Sequence, residues 1–285
     1  MQSYDYNSAY FDGKMADWTT LSIGEISSRL LTTFKRQSFP RDGIALDFGC
    51  GSGPYLPYLK QSSLEVVGVD ISPEAIKQAG TKNYKAVQLI DQGKAPLADQ
   101  SAAIVFSTEV LEHIEDADAA MREFHRLLKA GGLLILTTTM YFSSINVYLS
   151  TAIQEKHSPV KILREILHYL FGFISRRQQE LFVRRWCYQP LGGHFHGFKP
   201  NHLKKMIADA GFEVIETHPV YIFKPIGFCR FSDVKSVNAA FRFPVNLPVM
   251  LVMLMISAVN ACLKKLKLGA NNIYLVARKL PGLPQ

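Results

Sequence analysis

Residues 45–55 read Ala45-Leu-Asp-Phe-Gly-Cys-Gly-Ser-Gly-Pro-Tyr55, and residues 66–70 read Val66-Val-Gly-Val-Asp70. The apolar run before the first glycine is typical of a strand that is buried on both faces of a sheet. The three glycines allow a tight turn and a close approach of the backbone to a ligand. A second buried strand ends at Asp70, where a carboxylate can accept hydrogen bonds from both hydroxyls of a ribose. The stretch therefore predicts a strand, glycine loop, helix, strand and acid that hold a ribose-containing ligand.

The spacing of the glycines narrows the class of ligand. The dinucleotide fingerprint is Gly-x-Gly-x-x-Gly, whereas this loop has Gly-x-Gly-x-Gly, with Asp47 two residues before the first glycine. An anionic pyrophosphate gains nothing from a neighbouring carboxylate, whereas a cationic sulfonium with a free ammonium group does. The loop therefore favours a cationic ligand.

At these residues the sequence resembles the class I S-adenosylmethionine-dependent methyltransferases, and among them the group that includes ubiquinone- and menaquinone-pathway enzymes. The resemblance implies S-adenosylmethionine as the cofactor. It also implies an α/β fold with a Rossmann-like, seven-stranded, mostly parallel sheet, helices on both faces and helical lid insertions. The residues that the resemblance assigns to the cofactor are Asp47, Gly49, Gly51, Gly53, Asp70, Ile71, Asp91, Gln92 and Ser107.

Four further motifs stand in the order that this family has. They lie at residues 91–99, 109–114, 127–136 and 198–212. The third contains Gly131 and Gly132, which we expect to end the helix Asp116–Leu128 because glycine commonly ends helices. Each motif alone is weak evidence, and the motifs in the right order are strong evidence.

The motifs divide the chain into six segments. They are an N-terminal helical cap (1–40), a cofactor-binding core (41–140), a helical lid insertion (141–193), a core helix with strand six (194–222), a hydrophobic and basic insertion (223–270), and a final strand and tail (271–285). In the cap, the apolar spacing over Glu25–Phe39 predicts an amphipathic helix on the edge of the sheet. In the family, the final strand lies antiparallel between strands five and six.

Charge is distributed unevenly between the two halves of the chain. Residues 1–144 contain 13 Lys and Arg against 17 Asp and Glu, whereas residues 145–285 contain 19 against 7. The surplus in the second half predicts an anionic partner. The four scattered cysteines indicate neither a disulfide framework nor a zinc site, and the polar N-terminus does not resemble a secretory signal. We therefore expect a cytoplasmic protein at the inner face of a membrane.

An uncharged run of 21 residues, Phe243–Leu263, suggests how the chain meets that membrane. Its length suits a bilayer crossing, but a single crossing would separate strands six and seven of one sheet. A membrane-seated hairpin or a buried lid helix is compatible with the sheet. In the earlier insertion, mixed arginines and aromatic residues favour a substrate-covering lid over a nucleic-acid surface. The sequence does not indicate an oligomeric state.

The string Glu109-x-x-Glu112-His113 is the most specific candidate for a catalytic or metal-binding site. If it begins a helix, the three side chains share one face. It resembles the metal-binding element of ubiquinone-pathway and small-RNA 2′-O-methyltransferases, which implies Glu109, Glu112 and His113 as tentative ligands of Mg²⁺, completed by His194 or His196. In metal-free relatives the same string caps a helix, and we favour that interpretation. His113, His194 and His196 are also the candidate general bases, since imidazole titrates near neutral pH.

These observations predict a methyltransferase whose acceptor is lipid-linked or amphiphilic, such as a quinone precursor or a polyprenyl-linked glycan, methylated at oxygen or carbon. One alternative is a soluble O-methyltransferase of a sugar or small phenolic. The other is a non-catalytic, membrane-associated subunit that binds the cofactor.

Overall fold

Strands and helices alternate along the chain in a computed structural model, which describes residues 16–81, 86–89, 93–140, 152, 157–158, 160–161, 164–165, 193–220 and 272–282. The helices are α1 (Ala16–Arg36), α2 (Leu56–Leu59), α3 (Pro73–Gly80), α4 (Ala117–Leu127) and α5 (Pro200–Asp209). The strands are β1 (Ile44–Phe48), β2 (Glu65–Asp70), β3 (Ala86–Leu89), β4 (Ala102–Thr108), β5 (Leu128–Thr139), β6 (Phe212–Val220) and β7 (Asn272–Lys279).

The strands form one seven-stranded sheet in the order β3-β2-β1-β4-β5-β7-β6. β1 pairs in parallel with both β2 and β4, so the strand order reverses direction at β1. β7 lies antiparallel between β5 and β6, as the sequence predicts. In open sheets of this kind, ligands bind beyond the carboxyl ends of the strands near such a reversal. The topology therefore directs attention to the loops that follow β1, β2 and β4.

Helices cover both faces of the sheet, which confirms the predicted fold class. On one face, Phe124 of α4 packs edge-on against Phe48 of β1, with ring centroids 4.9 Å apart, and Leu203 of α5 joins the same core. On the other face, Ile26 and Leu30 of α1 are fully buried. Burying an aliphatic or aromatic side chain of this size contributes roughly 1.5–3 kcal/mol, so apolar burial on both faces holds the sheet in place.

Helix α1 packs on a face of the sheet, against residues of β1, β4, β5 and β7, and not on its edge as predicted, and it also contacts β6 and β7 through polar side chains. The Thr33 and Tyr274 hydroxyls are 2.9 Å apart, and Gln37, just beyond the helix, donates to the Glu216 carboxylate at 2.6 Å. The helix begins at Ala16 and ends at Arg36, earlier at both ends than the sequence predicts. Pro40 disfavours helical backbone at the residue before it, which is consistent with an end before Phe39.

The prediction that Gly131 and Gly132 end the preceding helix was wrong. α4 ends at Leu127, and both glycines lie inside β5. The buried Lys279 ammonium donates to the carbonyl oxygens of His125 and Leu128 at 2.7 and 2.8 Å, so a lysine of β7 satisfies carbonyls at the end of α4. A Cβ at position 132 would lie 3.0 Å or less from two carbonyl oxygens. Glycine at 132 is therefore explained by close strand packing.

Most of the insertion 141–193 and all of 223–270 lie outside the described residues, as does Phe243–Leu263. The predicted lid and membrane segment therefore stay predictions. Among the described helices, none is long and apolar enough to cross a membrane.

Candidate active site

The glycine loop after β1 is tied to the end of β2. The backbone N–H groups of Gly49 and Cys50 both donate to the Val69 carbonyl, at 2.8 and 3.0 Å. Gly49, Gly51 and Gly53 have φ angles of +77°, +52° and +75°, in the region that side chains with a Cβ rarely adopt. The loop conformation thus depends on the glycines that the sequence pattern singles out.

Two of these glycines border different surroundings. A Cβ at Gly49 would lie 2.3 Å from Cγ2 of Val110, whereas a Cβ at Gly51 would meet no atom within 4 Å. The Val110 side chain leaves no room for a Cβ at position 49, which explains the glycine there. Gly51 faces open space, where a ligand can approach the backbone.

Asp70 ends β2 beside this space. Its Oδ2 accepts from the Gly51 N–H and its Oδ1 accepts from the Ser72 N–H, both at 2.8 Å. Burial raises the pKa of Asp70, and the backbone N–H groups of Ser72 and Gly51 oppose that shift. Each carboxylate oxygen keeps a further acceptor position, so the side chain is fixed and can still accept from ribose hydroxyls.

Other predicted cofactor residues surround the same loop. Ile71 follows Asp70 and is 63% exposed, which leaves an apolar surface for a flat group such as adenine. Asp47 is buried near the end of β1, and Ser107 is buried near the end of β4. Asp91 and Gln92 lie outside the described residues. The open space, the fixed carboxylate and the apolar surface fit S-adenosylmethionine.

The string Glu109-x-x-Glu112-His113 does not begin an α-helix, so the condition for its three side chains to share one helix face is not met. Glu109 has a positive φ of +55°, and a single 3₁₀ turn covers Leu111–His113. The Glu109 N–H donates to the Thr137 carbonyl at 3.0 Å, which ties this turn to β5. The two carboxyl groups nevertheless lie close enough to interact, since the Glu109 carboxylate raises the pKa of Glu112.

Polar side chains that the sequence reasoning missed surround this carboxyl pair. Glu112 accepts from the Thr138 and Thr139 hydroxyls at 2.8 and 3.0 Å. Glu109 accepts from the Thr137 hydroxyl at 2.8 Å and from the amide of Asn272. The signal in the sequence is the run of three threonines at the carboxyl end of an apolar strand.

The carboxyl pair holds protons unusually tightly. Burial raises the pKa of Glu112 well above its usual range, and the adjacent Glu109 carboxylate raises it further. Burial also raises the pKa of Glu109, against the hydrogen bonds from Thr137 and Asn272. The pair therefore retains a proton to higher pH than an isolated glutamate does.

His113 and His194 lie beside the pair, with ring centroids 4.4 Å apart and nearly perpendicular planes. Ligand atoms of Glu112, His113 and His194 all lie within 4.8 Å of one another, whereas Glu109 is not part of this set. Burial lowers the pKa of His194 well below its usual range, and His113 and His196 lower it further. A neutral imidazole can accept a proton or bind a metal ion.

His196 has a different position from the other two histidines. Its Nε2 lies 2.9 Å from the Ile114 carbonyl and 3.2 Å from the Glu115 carbonyl, so this nitrogen carries a hydrogen. The backbone N–H groups of Phe195 and His196 donate to the Glu112 carbonyl at 2.7 and 3.3 Å. His196 thus joins its loop to the 3₁₀ turn, and its catalytic role stays a prediction.

Known proteins share this arrangement of elements. Residues 21–217, more than half of the chain, match the family described as a methyltransferase domain. The ubiquinone biosynthesis O-methyltransferase of Idiomarina loihiensis is 28% identical over 202 residues, which cover 68% of this chain and 71% of that protein. The malonyl-[acyl-carrier protein] O-methyltransferase of Hamiltonella defensa is 32% identical over 94 residues, which cover 33% of this chain and only 36% of that relative.

A solved structure shows the same fold. Phosphoethanolamine N-methyltransferase 2 of Haemonchus contortus, in complex with S-adenosyl-L-methionine, has a TM-score of 0.52 at 16% identity. The match covers 98% of this chain and 60% of that one. At this identity the similarity concerns the fold alone.

Proposed function

Because the chain belongs to the methyltransferase domain family and is a class I S-adenosylmethionine-dependent methyltransferase, we propose that it methylates a lipid-linked or amphiphilic acceptor at oxygen or carbon. One observation carries the choice of acceptor. Val220 ends β6 and pairs with Asn272, the first residue of β7, at the sheet edge that holds the site. The sequence between Val220 and Asn272 contains the uncharged run Phe243–Leu263, and the Asn272 amide donates to Glu109.

The residues of the site divide the chemical work. When bound, S-adenosylmethionine supplies an electrophilic methyl group. Asp70, held by two backbone N–H groups, would orient the ribose, and Gly51 leaves room for the methionine end. His113 is the favoured group to take a proton from an acceptor hydroxyl, since the lowered pKa of His194 disfavours protonation of that ring. Positioning of this kind supplies much of the rate enhancement in such reactions.

Two alternatives follow from other observations. The similar relatives include O-methyltransferases, which supports a soluble O-methyltransferase of a sugar or small phenolic as the second candidate. A non-catalytic subunit would bind the cofactor without transferring its methyl group. A nucleic-acid surface stays the less favoured interpretation of the arginine-aromatic mixture in the sequence.

Transfer of a radiolabelled methyl group to cell extracts tests the proposal. We expect label to enter the lipid extract with the wild type and not with an Asp70→Ala variant, which should bind the cofactor weakly. Label confined to the aqueous extract would support the soluble O-methyltransferase. No transfer to either extract, with cofactor binding intact, would support the non-catalytic subunit.

A further inference from the structure

Asn272 is the first residue of β7, shortly after the insertion that contains the uncharged run. It pairs with Thr139 of β5 on one side and with Val220 of β6 on the other. Its side chain is fully buried, and its amide nitrogen donates to the Glu109 carboxylate. One side chain therefore connects the start of β7 with the turn that carries the carboxyl pair.

The side-chain oxygen of Asn272 lacks a hydrogen bond to any described residue. Among the described residues, the Asn272 Oδ1 atom is buried and has no partner. Leaving a buried polar atom unsatisfied costs roughly 1–3 kcal/mol, and native proteins contain few such atoms. A ligand that brings a hydrogen-bond donor would remove that cost.

In the described part of the chain, other buried side-chain atoms without a hydrogen-bond partner lie at the same edge of the sheet. Six side-chain atoms of the described residues are buried without a partner. Four of them lie at the carboxyl edge of the sheet, in Ser107, Thr108, His194 and Asn272. Thr108 pairs in register with Thr137, whose hydroxyl binds Glu109. This concentration is what a polar ligand site has before its ligand arrives.

We propose that Asn272 binds the methyl acceptor: its amide nitrogen positions Glu109, and its Oδ1 accepts a hydrogen bond from a hydroxyl or amino group of the acceptor. The inference rests on the proposed function and adds the chemistry that recognises the acceptor. Oδ1 has no hydrogen to donate, so it selects molecules that carry an O–H or N–H donor close to the methylated atom. An acceptor without such a donor would leave Oδ1 unsatisfied.

A crystal structure of the full chain with S-adenosylhomocysteine tests the inference without any knowledge of the acceptor. We expect Oδ1 to be bonded only to ordered water, in a cavity that is continuous with the sulfur of the cofactor product. A protein N–H or O–H group within about 3.2 Å of Oδ1 would overturn the proposal. This outcome does not depend on whether methyl transfer to an extract is observed.

Methyl transfer to cell extract then tests whether Asn272 binds the acceptor or only positions Glu109. The Asn272→Leu variant should need about 5- to 150-fold more extract for half-maximal transfer, because a buried hydrogen-bond partner is lost. Its affinity for S-adenosylhomocysteine should stay within about twofold of wild type, on the same scale of tenfold per 1.4 kcal/mol. Asn201→Leu, on the exposed surface of α5, is the matched control and should change neither quantity.

A double variant completes the test. If Asn272 acted only by holding Glu109, Asn272→Leu would add no loss to a Glu109→Ala variant. We expect an additional loss, because Oδ1 makes its own contact with the acceptor. No additional loss, or an unchanged extract requirement in Asn272→Leu, would overturn the proposal. If the wild type transfers no label, the proposed function fails and the crystal structure alone decides the role of Asn272.

Discussion

At the scale of single residues, the structure gives different roles to two glycines that the sequence motif does not distinguish. Gly49 and Gly51 belong to one motif and both have positive φ angles. Only Gly51 borders open space, whereas Gly49 makes room for the Val110 side chain. The motif predicts a glycine at each position, but it does not say which glycine faces the ligand.

Two alanine variants should therefore fail in different ways. Gly49→Ala places a Cβ against Val110 and should lower the free energy of unfolding by about 2–4 kcal/mol, since overpacking and left-handed backbone both contribute. Gly51→Ala should cost only about 1–2 kcal/mol, from left-handed backbone alone. It should nevertheless weaken S-adenosylhomocysteine by about tenfold or more. Urea unfolding and titration calorimetry measure the two quantities. Equal losses of stability would contradict this assignment.

The raised pKa of Glu112 gives a pH dependence of stability with a defined sign. A group whose pKa rises on folding stabilises the fold below its unfolded value, here about 4.5, and loses that contribution as the pH rises through the folded value. Glu112→Gln removes this titration. The variant should gain stability relative to wild type between pH 5 and pH 8, by up to about 1.4 kcal/mol per pH unit. Urea unfolding at both pH values checks this, and a constant difference would contradict it.

A divalent cation is the alternative use of the same residues. Both Glu112 oxygens already accept threonine hydroxyls, and the carboxyl pair holds protons tightly. We therefore expect methyl transfer to continue in excess EDTA. Loss of transfer that added Mg²⁺ restores would instead assign Glu112, His113 and His194 as ligands. His194→Gln should then raise the Mg²⁺ concentration needed, which separates this outcome from damage by the chelator.

At the scale of elements, the apolar runs of the sequence predict the strands correctly, but they do not predict the conformation of the turns. The buried runs at β1, β2 and β7 predict strands because side chains on both faces must be apolar. The turn after β4 is different, since the left-handed Glu109 is fixed by contacts with Thr137 and Asn272 that are distant in sequence. The partners of Glu112 could not be predicted for the same reason. No local pattern places Thr138 and Thr139 of β5 beside it.

Arg126 of α4 holds the segment that leads from β3 to β4. Its guanidinium donates to the Asp99 carboxylate at 2.5 Å and to the Leu97 carbonyl at 2.9 Å. It also pairs with the buried Glu123 at 2.7 Å, and Glu123 accepts from the Ala95 N–H. A single side chain thus holds the loop before β4 through Leu97 and Asp99.

Two arginines of this helix provide a matched comparison. Arg126→Met leaves the buried Glu123 without its cation and should cost about 2–3 kcal/mol of unfolding free energy. Arg122→Met removes an exposed pair with Asp116, whose charged atoms are 3.6 Å apart, and should cost at most about 0.5 kcal/mol. Chemical denaturation of both variants measures the difference. Similar losses would mean that the contacts of Arg126 with Glu123 and the loop contribute little to the free energy of unfolding.

At the scale of the whole molecule, function depends on how the core and its insertions are joined. The core motifs predict cofactor binding from sequence alone, because they are local and stand in a fixed order. The acceptor cannot be predicted in this way. The site that we propose for it draws on β4, β5, β7 and the loop at His194, which only the fold brings together. Val220 and Asn272, the described residues on either side of the insertion 223–270, pair with each other at this same edge.

Vesicle flotation tests whether that insertion contacts a membrane. Lys264, Lys265 and Lys267 follow the uncharged run, and basic residues near an anionic surface add roughly 1 kcal/mol each in a salt-sensitive way. Burial of the apolar side chains adds a part that salt does not screen. We therefore expect wild type to float with anionic vesicles at low salt and to remain partly bound at high salt.

Charge placed inside the run separates membrane insertion from a lid over the substrate. A Leu251→Asp, Leu254→Asp double variant should lose the salt-resistant binding, because carboxylates do not enter an apolar interface readily. The double variant with isoleucine at both positions keeps the run apolar and should float like wild type. If the aspartate variant floats as well as wild type, or wild type never floats, the run does not insert. It would then serve as a cover for the acceptor, and the lysines beside it would have no role at the membrane.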